Sequence, residues 1–171
     1  MKSKVQKQEE IKKAGELFDK SKILLFIDFA KVTAEDLRRL RRELKSVGAK
    51  MFVLKKRLLN VLFKEKGINY DVRNLAGSVG AIFSENGIEE ASASVYKFFS
   101  TLHVGKEAKA EAVKKILGGF DVKEKSPIAS GTIVMIGQLP PREVLLAQLL
   151  GVLVSPIRSL LYIMQEKSKQ T

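Results

Sequence analysis

The spacing of apolar positions predicts alternating helices and strands over the first hundred residues. Apolar residues three, four or seven positions apart line one face of a helix, whereas a short, continuously apolar run is typical of a strand covered on both faces. By these criteria helices cover residues 3–19, 34–47, 58–66 and 88–102. Strands cover Ile23–Ile27, Lys50–Leu54 and Val79–Phe83. This alternation predicts an α/β domain whose sheet is covered by helices.

The helix predicted over residues 34–47 has two distinct faces. Thr33 is expected to be its N-cap and Gly48 its C-cap. One arc of the helical wheel is apolar and should pack on the sheet, while an opposite arc is basic. The apolar arc holds Leu37, Leu40, Leu44 and Val47; the basic arc holds Arg38, Arg41, Arg42 and Lys45, with Arg39 further round.

The pattern is weaker between residues 109 and 138. Residues 109–117 are predicted to form a fourth strand, although their composition also suits a helix, and Gly118 and Gly119 are expected to break it. Residues 121–138 are left open, because the segment TIVMI has strand propensity that its context can override.

The last apolar stretch, Val144–Met164, contains Arg158 as its only charged residue. Its spacing predicts an extended C-terminal helix that starts near Pro141 and is kinked near Pro156, outside the α/β layer. The apolar surface is wider than one packing contact covers, so partner helices are expected to wrap it. The candidate partner-binding residues are Leu145, Leu149, Val152, Leu153, Ile157, Leu160, Leu161 and Met164.

Charge is distributed unevenly along the 171-residue chain, whose net charge is +12. Residues 1–66 hold 19 Lys and Arg against 9 Asp and Glu, whereas residues 67–171 hold 12 against 10. A basic first part and a nearly neutral, apolar last part indicate two separate tasks, the first of them polyanion binding. Cysteine is absent, which suits a reducing cytosol, and the charged N-terminal residues do not resemble a secretory signal.

No catalytic constellation is found. The single histidine, His103, is expected to have a surface or C-cap role at a helix end, and residues 77–80 (GSVG) are too short for a phosphate-binding loop and lack its lysine. The acidic residues do not have metal-ligand spacing. We therefore expect neither an enzyme nor a metal or other cofactor.

The basic residues point to RNA. Lys55, Lys56 and Arg57 follow a predicted strand and open a helix, where backbone N–H groups and cations together suit phosphate. The arginines of helix 34–47 would lie beside them if both helices packed on the same sheet face. Few aromatic residues are interspersed, so contact with folded RNA is favoured over stacking on single strands. The candidate RNA-binding residues are Lys31, Arg38, Arg41, Arg42, Lys45, Lys55, Lys56, Arg57 and Gly77.

A membrane anchor is the alternative interpretation of Val144–Met164, because about twenty apolar residues can span a bilayer. Arg158 near the middle would cost about 2.5–3.5 kcal/mol, and Gln148, Pro156 and two serines add to that cost. Partner helices are therefore preferred, and no membrane association is expected.

Several motifs, in this order and spacing, resemble one family. The segments are DF at 28–29 with VT at 32–33, LRRLRREL at 37–44, FVLKKRLL at 52–59, LAGSVGAIF at 75–83, LPPREVLLAQLLG at 139–151 and SPIR at 155–158. They are similar to the first strand and basic helix, the Val-x-Lys-Asn-x-Leu and Leu-x-Gly-Pro-x-Ala motifs, and the Leu-Pro-Ser-Arg-Glu-Glu-Leu-Leu and Ala-Pro segments of the bacterial stalk-base proteins of the large ribosomal subunit, the large-subunit protein ten family.

The resemblance implies a cytoplasmic, ribosome-bound scaffold of two parts. Residues 1–138 would bind large-subunit rRNA beside a neighbouring stalk-base protein. Residues 139–171 would carry dimers of the acidic stalk protein, which recruit translational GTPases. By position, Lys55, Gly77 and Arg41 match motif residues of the family.

Three residues depart from the family pattern. Lys56 replaces the usual Asn, Lys31 replaces the Gly of the first loop, and Ser78 replaces the Pro.

Overall fold

The computed structural model describes residues 4–68, 70–102 and 113–169. Internal contacts divide the chain into two compact units, Met1–Gln138 and Leu139–Thr171. His103 and residues 109–112, for which the sequence suggested a helix end and the start of a strand, lie outside the described residues.

The first unit is a small α/β domain. Its helices are α1 (Lys4–Lys20), α2 (Ala34–Ser46), α3 (Lys56–Glu65), α4 (Ile88–Leu102) and α5 (Ser130–Gly137). Its strands are β1 (Ile23–Asp28), β2 (Ala49–Phe52), β3 (Val79–Ser84), β4 (Ile116–Asp121) and β5 (Ser126–Ile128). The α/β class predicted from the apolar pattern is confirmed.

The five strands form one sheet in the order β2-β3-β1-β4-β5, and every neighbouring pair is antiparallel. The central strand β1 is buried on both faces, as its continuously apolar sequence predicts. Residues alternate between the faces, so Leu25 and Ile27 pack with α2, α4 and α5, whereas Leu24 and Phe26 pack with α1 and α3. The sheet therefore separates two layers of helices.

The layer of α1 and α3 has an aromatic centre. The Phe63 ring is fully buried, with its centroid 5.8–6.2 Å from those of Phe18, Phe26, Tyr70 and Phe120. Large buried rings contribute several kcal/mol each to folding, so this cluster anchors α3 to the sheet.

The N-cap of α2 is Thr33, as predicted, whereas its C-cap is Val47, one residue before the predicted Gly48. The Thr33 hydroxyl accepts a hydrogen bond from the Asp36 N–H at 3.2 Å and donates one to the Asp36 carboxylate at 2.6 Å. Gly48 and Gly67, which follow α2 and α3, have φ values of +70° and +69°, a conformation in which glycine carries no Cβ penalty.

The prediction of a strand over residues 109–117 that ends before Gly118 is wrong in its bounds. Residues 113–115 are helical, and the strand β4 runs through Gly118 and Gly119 instead of ending before them. The physical reason is close packing: a Cβ on Gly119 would lie 2.8 Å from the Leu24 carbonyl oxygen, so the neighbouring strand requires a glycine there. The segment TIVMI, which was left open, is helical within α5.

The second unit is the helix α6 (Arg142–Lys169), with Pro156 in its interior. It begins one residue after Pro141, whose carbonyl oxygen accepts hydrogen bonds from the Val144 and Leu145 N–H groups. A proline inside a helix donates no hydrogen bond to the preceding turn, so a kink is predicted at Pro156.

Candidate RNA interface and partner-binding helix

One end of the sheet collects most of the predicted RNA-binding residues. Strands β1 and β2 run in the same direction and flank the antiparallel β3, so the ends of β1 and β2 meet the start of β3. The register pairs Asp28 with Val79 and Phe52 with Ala81. The loops that follow β1 and β2, and the loop that precedes β3, therefore share this end, which we call the loop edge. It carries Lys31, Lys55, Lys56, Arg57 and Gly77.

Lys55, Lys56 and Arg57 open α3, with Lys55 as the N-cap residue. The Lys55 and Arg57 side chains are exposed, so both cations are available to a polyanion. Lys56 is half-buried, and its Nζ donates a short hydrogen bond, 2.5 Å, to the Leu75 carbonyl oxygen. The Lys56 ammonium thus already has a partner in the loop before β3.

Lys31 is exposed and has a φ of +62°, one of two non-glycine residues with positive φ among those described. This is the position at which Lys31 stands in place of the family's glycine, which explains why a glycine suits the loop. The loop is nevertheless held, because the Nζ of Lys115 donates a hydrogen bond to the Ala30 carbonyl oxygen.

The arginines of α2 do not lie on the same sheet face as Lys55–Arg57. Leu40 and Leu44 pack α2 against one face, whereas Leu59 and Phe63 pack α3 against the other. The condition under which the two basic clusters would lie side by side is therefore not met. The reason is the path of the chain. The edge strand β2 connects α2 to α3, and the two helices lie on opposite sides of the sheet.

The basic face of α2 is solvent-facing as predicted. The side chains of Arg38, Arg41, Arg42 and Lys45 are exposed. In the part of the chain that the structure describes, these four residues, Lys31, Lys55 and Arg57 form no salt bridge. Because no described carboxylate pairs with them, these cations can act on an external polyanion.

Two clefts open at the loop edge. The first, of about 400 Å³, is lined by apolar Phe29 and Val53 together with Lys55, Lys56 and Gly77. The second, of about 510 Å³, is lined on its basic side by Lys31, Lys114 and Lys115. Sequence reasoning missed Lys114 and Lys115, because their segment was predicted to lie inside a strand. Their position just before a strand that neighbours β1 brings them to this edge.

A polar network beside α3 fixes the chain between α3 and β3. The Asn60 side chain donates a hydrogen bond to the Asp71 carboxylate at 2.6 Å and accepts one from the Val72 N–H at 3.0 Å. The bond from Asn60 and a second one from the Arg73 N–H lower the pKa of Asp71. Burial raises the pKa of the neighbouring Tyr70 phenol.

Helix α6 presents its apolar residues to solvent. None of its described side chains is buried, and the exposed fraction reaches 71% at Val152 and 64% at Leu153. Of the eight candidate partner-binding residues, seven are exposed and Leu145 is half-buried. By length and composition alone α6 is also apolar enough to cross a membrane.

Comparison with known proteins separates these possibilities. The family model described as ribosomal protein L10 matches residues 2–100, more than half of the chain, and the model described as ribosomal protein uL10 C-terminal region matches residues 139–165. The chain belongs to the uL10 family. The second match covers most of the exposed helix, so that helix corresponds to a recognised region of a ribosomal protein, which does not favour the membrane alternative.

Relatives in bacteria agree over nearly the whole length. The large ribosomal subunit protein uL10 of Thermotoga neapolitana is 32% identical over 168 residues, covering 96% of this chain and 89% of the relative. That of Coprothermobacter proteolyticus is 31% identical over 155 residues, covering 91% and 82%. The uL10 family consists of ribosomal proteins, so this member is a large-subunit ribosomal protein, cytoplasmic and ribosome-bound, and not an enzyme.

Proposed function

We propose that this uL10 protein forms the base of the large-subunit stalk. Its first unit binds large-subunit rRNA, and α6 holds dimers of the acidic stalk protein. The single observation that carries the proposal is the contrast between a basic, folded domain and a helix whose apolar side chains have no partner in the described chain.

The proposed rRNA contact is supported at the loop edge and on α2. Exposed Lys55 and Arg57 flank the N-terminus of α3, where the helix dipole favours a phosphate group. Arg41 and Arg42 present a second set of cations from the other sheet face. Two basic surfaces on opposite faces suit a folded RNA that contacts the domain on more than one side.

The proposed stalk-protein contact is supported by the surface of α6. Leu149, Val152, Ile157 and Leu160 are each about 58–71% exposed, and burying each one yields about 1.5–3 kcal/mol. An amphipathic helix lying in an apolar groove is a common mode of recognition, and here helices of a stalk-protein dimer would form that groove. A neighbouring stalk-base protein would complete the assembly, and translational GTPases would be recruited indirectly.

A crossed experiment on the full-length chain tests both halves. In one variant Lys55 and Arg57 become Ala; in the other Leu160 and Leu161 become Asp. The first should weaken binding of large-subunit rRNA and flatten its log–log salt dependence by about 0.7–0.9 for each lost phosphate contact, without affecting the stalk protein. The second should release the stalk protein without affecting rRNA.

Two control variants separate the effect of a changed net charge from the loss of a specific contact. Gln148→Asp with Gln165→Asp adds the same two negative charges to α6 at exposed polar positions, and it should retain the stalk protein. Lys20→Ala with Lys22→Ala removes two exposed cations beside the start of β1, at the opposite end of the sheet from the loop edge, and should change rRNA affinity less than the Lys55 and Arg57 pair. Either test variant losing both partners, or neither, would contradict the proposal.

A further inference from the structure

The basic loop edge includes the acidic side chain of Asp28. Asp28 is the last residue of β1, is half-buried, and lines the same cleft as Lys31, Lys114 and Lys115. Simple electrostatics would disfavour a carboxylate on a surface that binds a polyanion. Its hydrogen bonds give it another task.

The Asp28 carboxylate ties two loops together. One oxygen, Oδ1, accepts a hydrogen bond from the Ala30 N–H at 3.0 Å, in the loop after β1, and another from the Ser78 N–H at 2.8 Å, in the loop before β3. A backbone bond from the Phe29 N–H to the Ser78 carbonyl oxygen, 3.1 Å, closes the same junction. Hydrogen bonds to an ionised acceptor are stronger than neutral ones, so the carboxylate fixes the spacing of the two loops.

The absence of a side chain at Gly77 leaves room for this carboxylate. Its φ is +69°, and a Cβ built there would lie 2.3–2.7 Å from the carboxylate atoms of Asp28, closer than atoms can approach. The Asp28 side chain therefore packs directly against the Gly77 backbone.

Two lysines hold the outer ends of the same loops. Lys56 donates to the Leu75 carbonyl oxygen on one side, and Lys115 donates to the Ala30 carbonyl oxygen on the other. Ser78, which stands where the family motif has proline, supplies an N–H that proline lacks. The loop edge is thus held by contacts that depend on this chain's own residues.

We propose that Asp28 is a positioning residue for rRNA: its carboxylate locks the loop after β1 to the loop before β3, so that the phosphate-facing groups at Lys31, Lys55 and Gly77 are aligned. Lys56 and Lys115 act as internal clamps of these loops. The inference rests on the proposed rRNA contact.

The two possible roles of Asp28 predict opposite changes in rRNA affinity when its side chain is removed. A purely electrostatic role predicts that removing the Asp28 charge tightens rRNA binding. A positioning role predicts that Asp28→Ala weakens it at constant salt, here at least fivefold, although the net charge rises by one. Asp28→Asn keeps an oxygen that accepts both N–H groups, so it should restore affinity to within about twofold of the original chain.

The experiment measures binding of purified large-subunit rRNA to full-length chains. Glu35→Ala is the matched control, since Glu35 is an exposed carboxylate in the first turn of α2, close in sequence to the loop, and its removal makes the same charge change. This control should bind equally well or more tightly. Unchanged stalk-protein binding and an unchanged melting temperature would show that Asp28→Ala acts locally.

A second pair of variants applies if Asp28→Ala does not fold. Ser78→Pro removes one of the two N–H donors without altering charge, whereas Ser78→Ala keeps it. Weakened rRNA binding by the proline variant alone supports the proposal. It is overturned if Asp28→Ala binds as tightly as Glu35→Ala, if Asp28→Asn fails to rescue, or if both Ser78 variants bind like the original.

These outcomes are distinguishable from failure of the proposed function itself. If the chain does not bind rRNA through the loop edge at all, the Lys55 and Arg57 variant will bind normally, and so will every variant at Asp28 and Ser78. If only the positioning role is wrong, the Lys55 and Arg57 variant weakens binding while Asp28→Ala does not.

Discussion

The two units of the chain contain similar apolar side chains with opposite exposure. In the first unit Leu24 and Phe26 are fully buried between the sheet and its helices, whereas in the second Leu150 and Leu153 are 61% and 64% exposed. A sheet gives the first unit its own partner surface, but a single helix has no such surface. The comparison teaches that the first unit gains its burial free energy on folding, whereas under the proposed function α6 gains it on binding another polypeptide.

The largest expected effect is a loss of stability when the core of the first unit is changed. Phe63→Ala should lower the free energy of unfolding of the first unit by about 3–5 kcal/mol, because it removes a fully buried ring with four aromatic neighbours. Leu153→Ala, on the exposed helix, should change that free energy by less than about 0.5 kcal/mol. Urea unfolding followed by the tertiary signal of the domain measures both. Similar losses for the two variants would break the comparison.

A smaller effect is expected at the N-terminus of α2. Thr33→Ala removes the hydroxyl that caps the helix and should destabilise the first unit by about 1 kcal/mol, or roughly 3–6 °C in melting temperature. Ser94→Ala is the control, because that hydroxyl is exposed and bonds within α4. Calorimetry that finds equal melting temperatures for the two variants would mean that the cap contributes nothing.

The smallest effect concerns pH. Because hydrogen bonds from Asn60 and Arg73 lower the pKa of Asp71, its carboxylate stabilises the folded first unit above the ordinary aspartate pKa, and this contribution is lost as the pH falls through the lowered value. Asp71→Asn, which does not titrate, should therefore show a shallower fall in melting temperature below about pH 4. Parallel pH profiles for the variant and the original would contradict this assignment.

The spacing of apolar residues correctly predicted the helices and strands that have a strong local signal. The helix at 88–102 was predicted with the observed bounds, Thr33 caps the start of α2 as expected, and Gly48 directly follows its C-cap Val47. The strand through Gly118 and Gly119 was missed, because the close approach of β1 requires a glycine at position 119. This tertiary contact is not visible in the local sequence pattern. In the same way, TIVMI became helical because its surroundings in the fold outweigh β-propensity.

The candidate site was predictable in composition but not in arrangement. Charge and position at a predicted strand-to-helix junction selected Lys55 and Arg57, which are exposed at the N-terminus of α3. Charge did not reveal that Lys56 binds a backbone carbonyl, or that Lys115 comes to the same edge, since both depend on contacts 19 and 85 residues apart in sequence. Nor did it mark Asp28, whose proposed role rests on hydrogen bonds to two loops of the fold.

The most direct test of the two-unit account removes residues 139–171 and measures both partners of the remaining chain. The account predicts that large-subunit rRNA affinity stays within about twofold, because the first unit has its own core, while binding of the acidic stalk protein is abolished. If the shortened chain loses both partners together, or keeps the stalk protein, the account is contradicted.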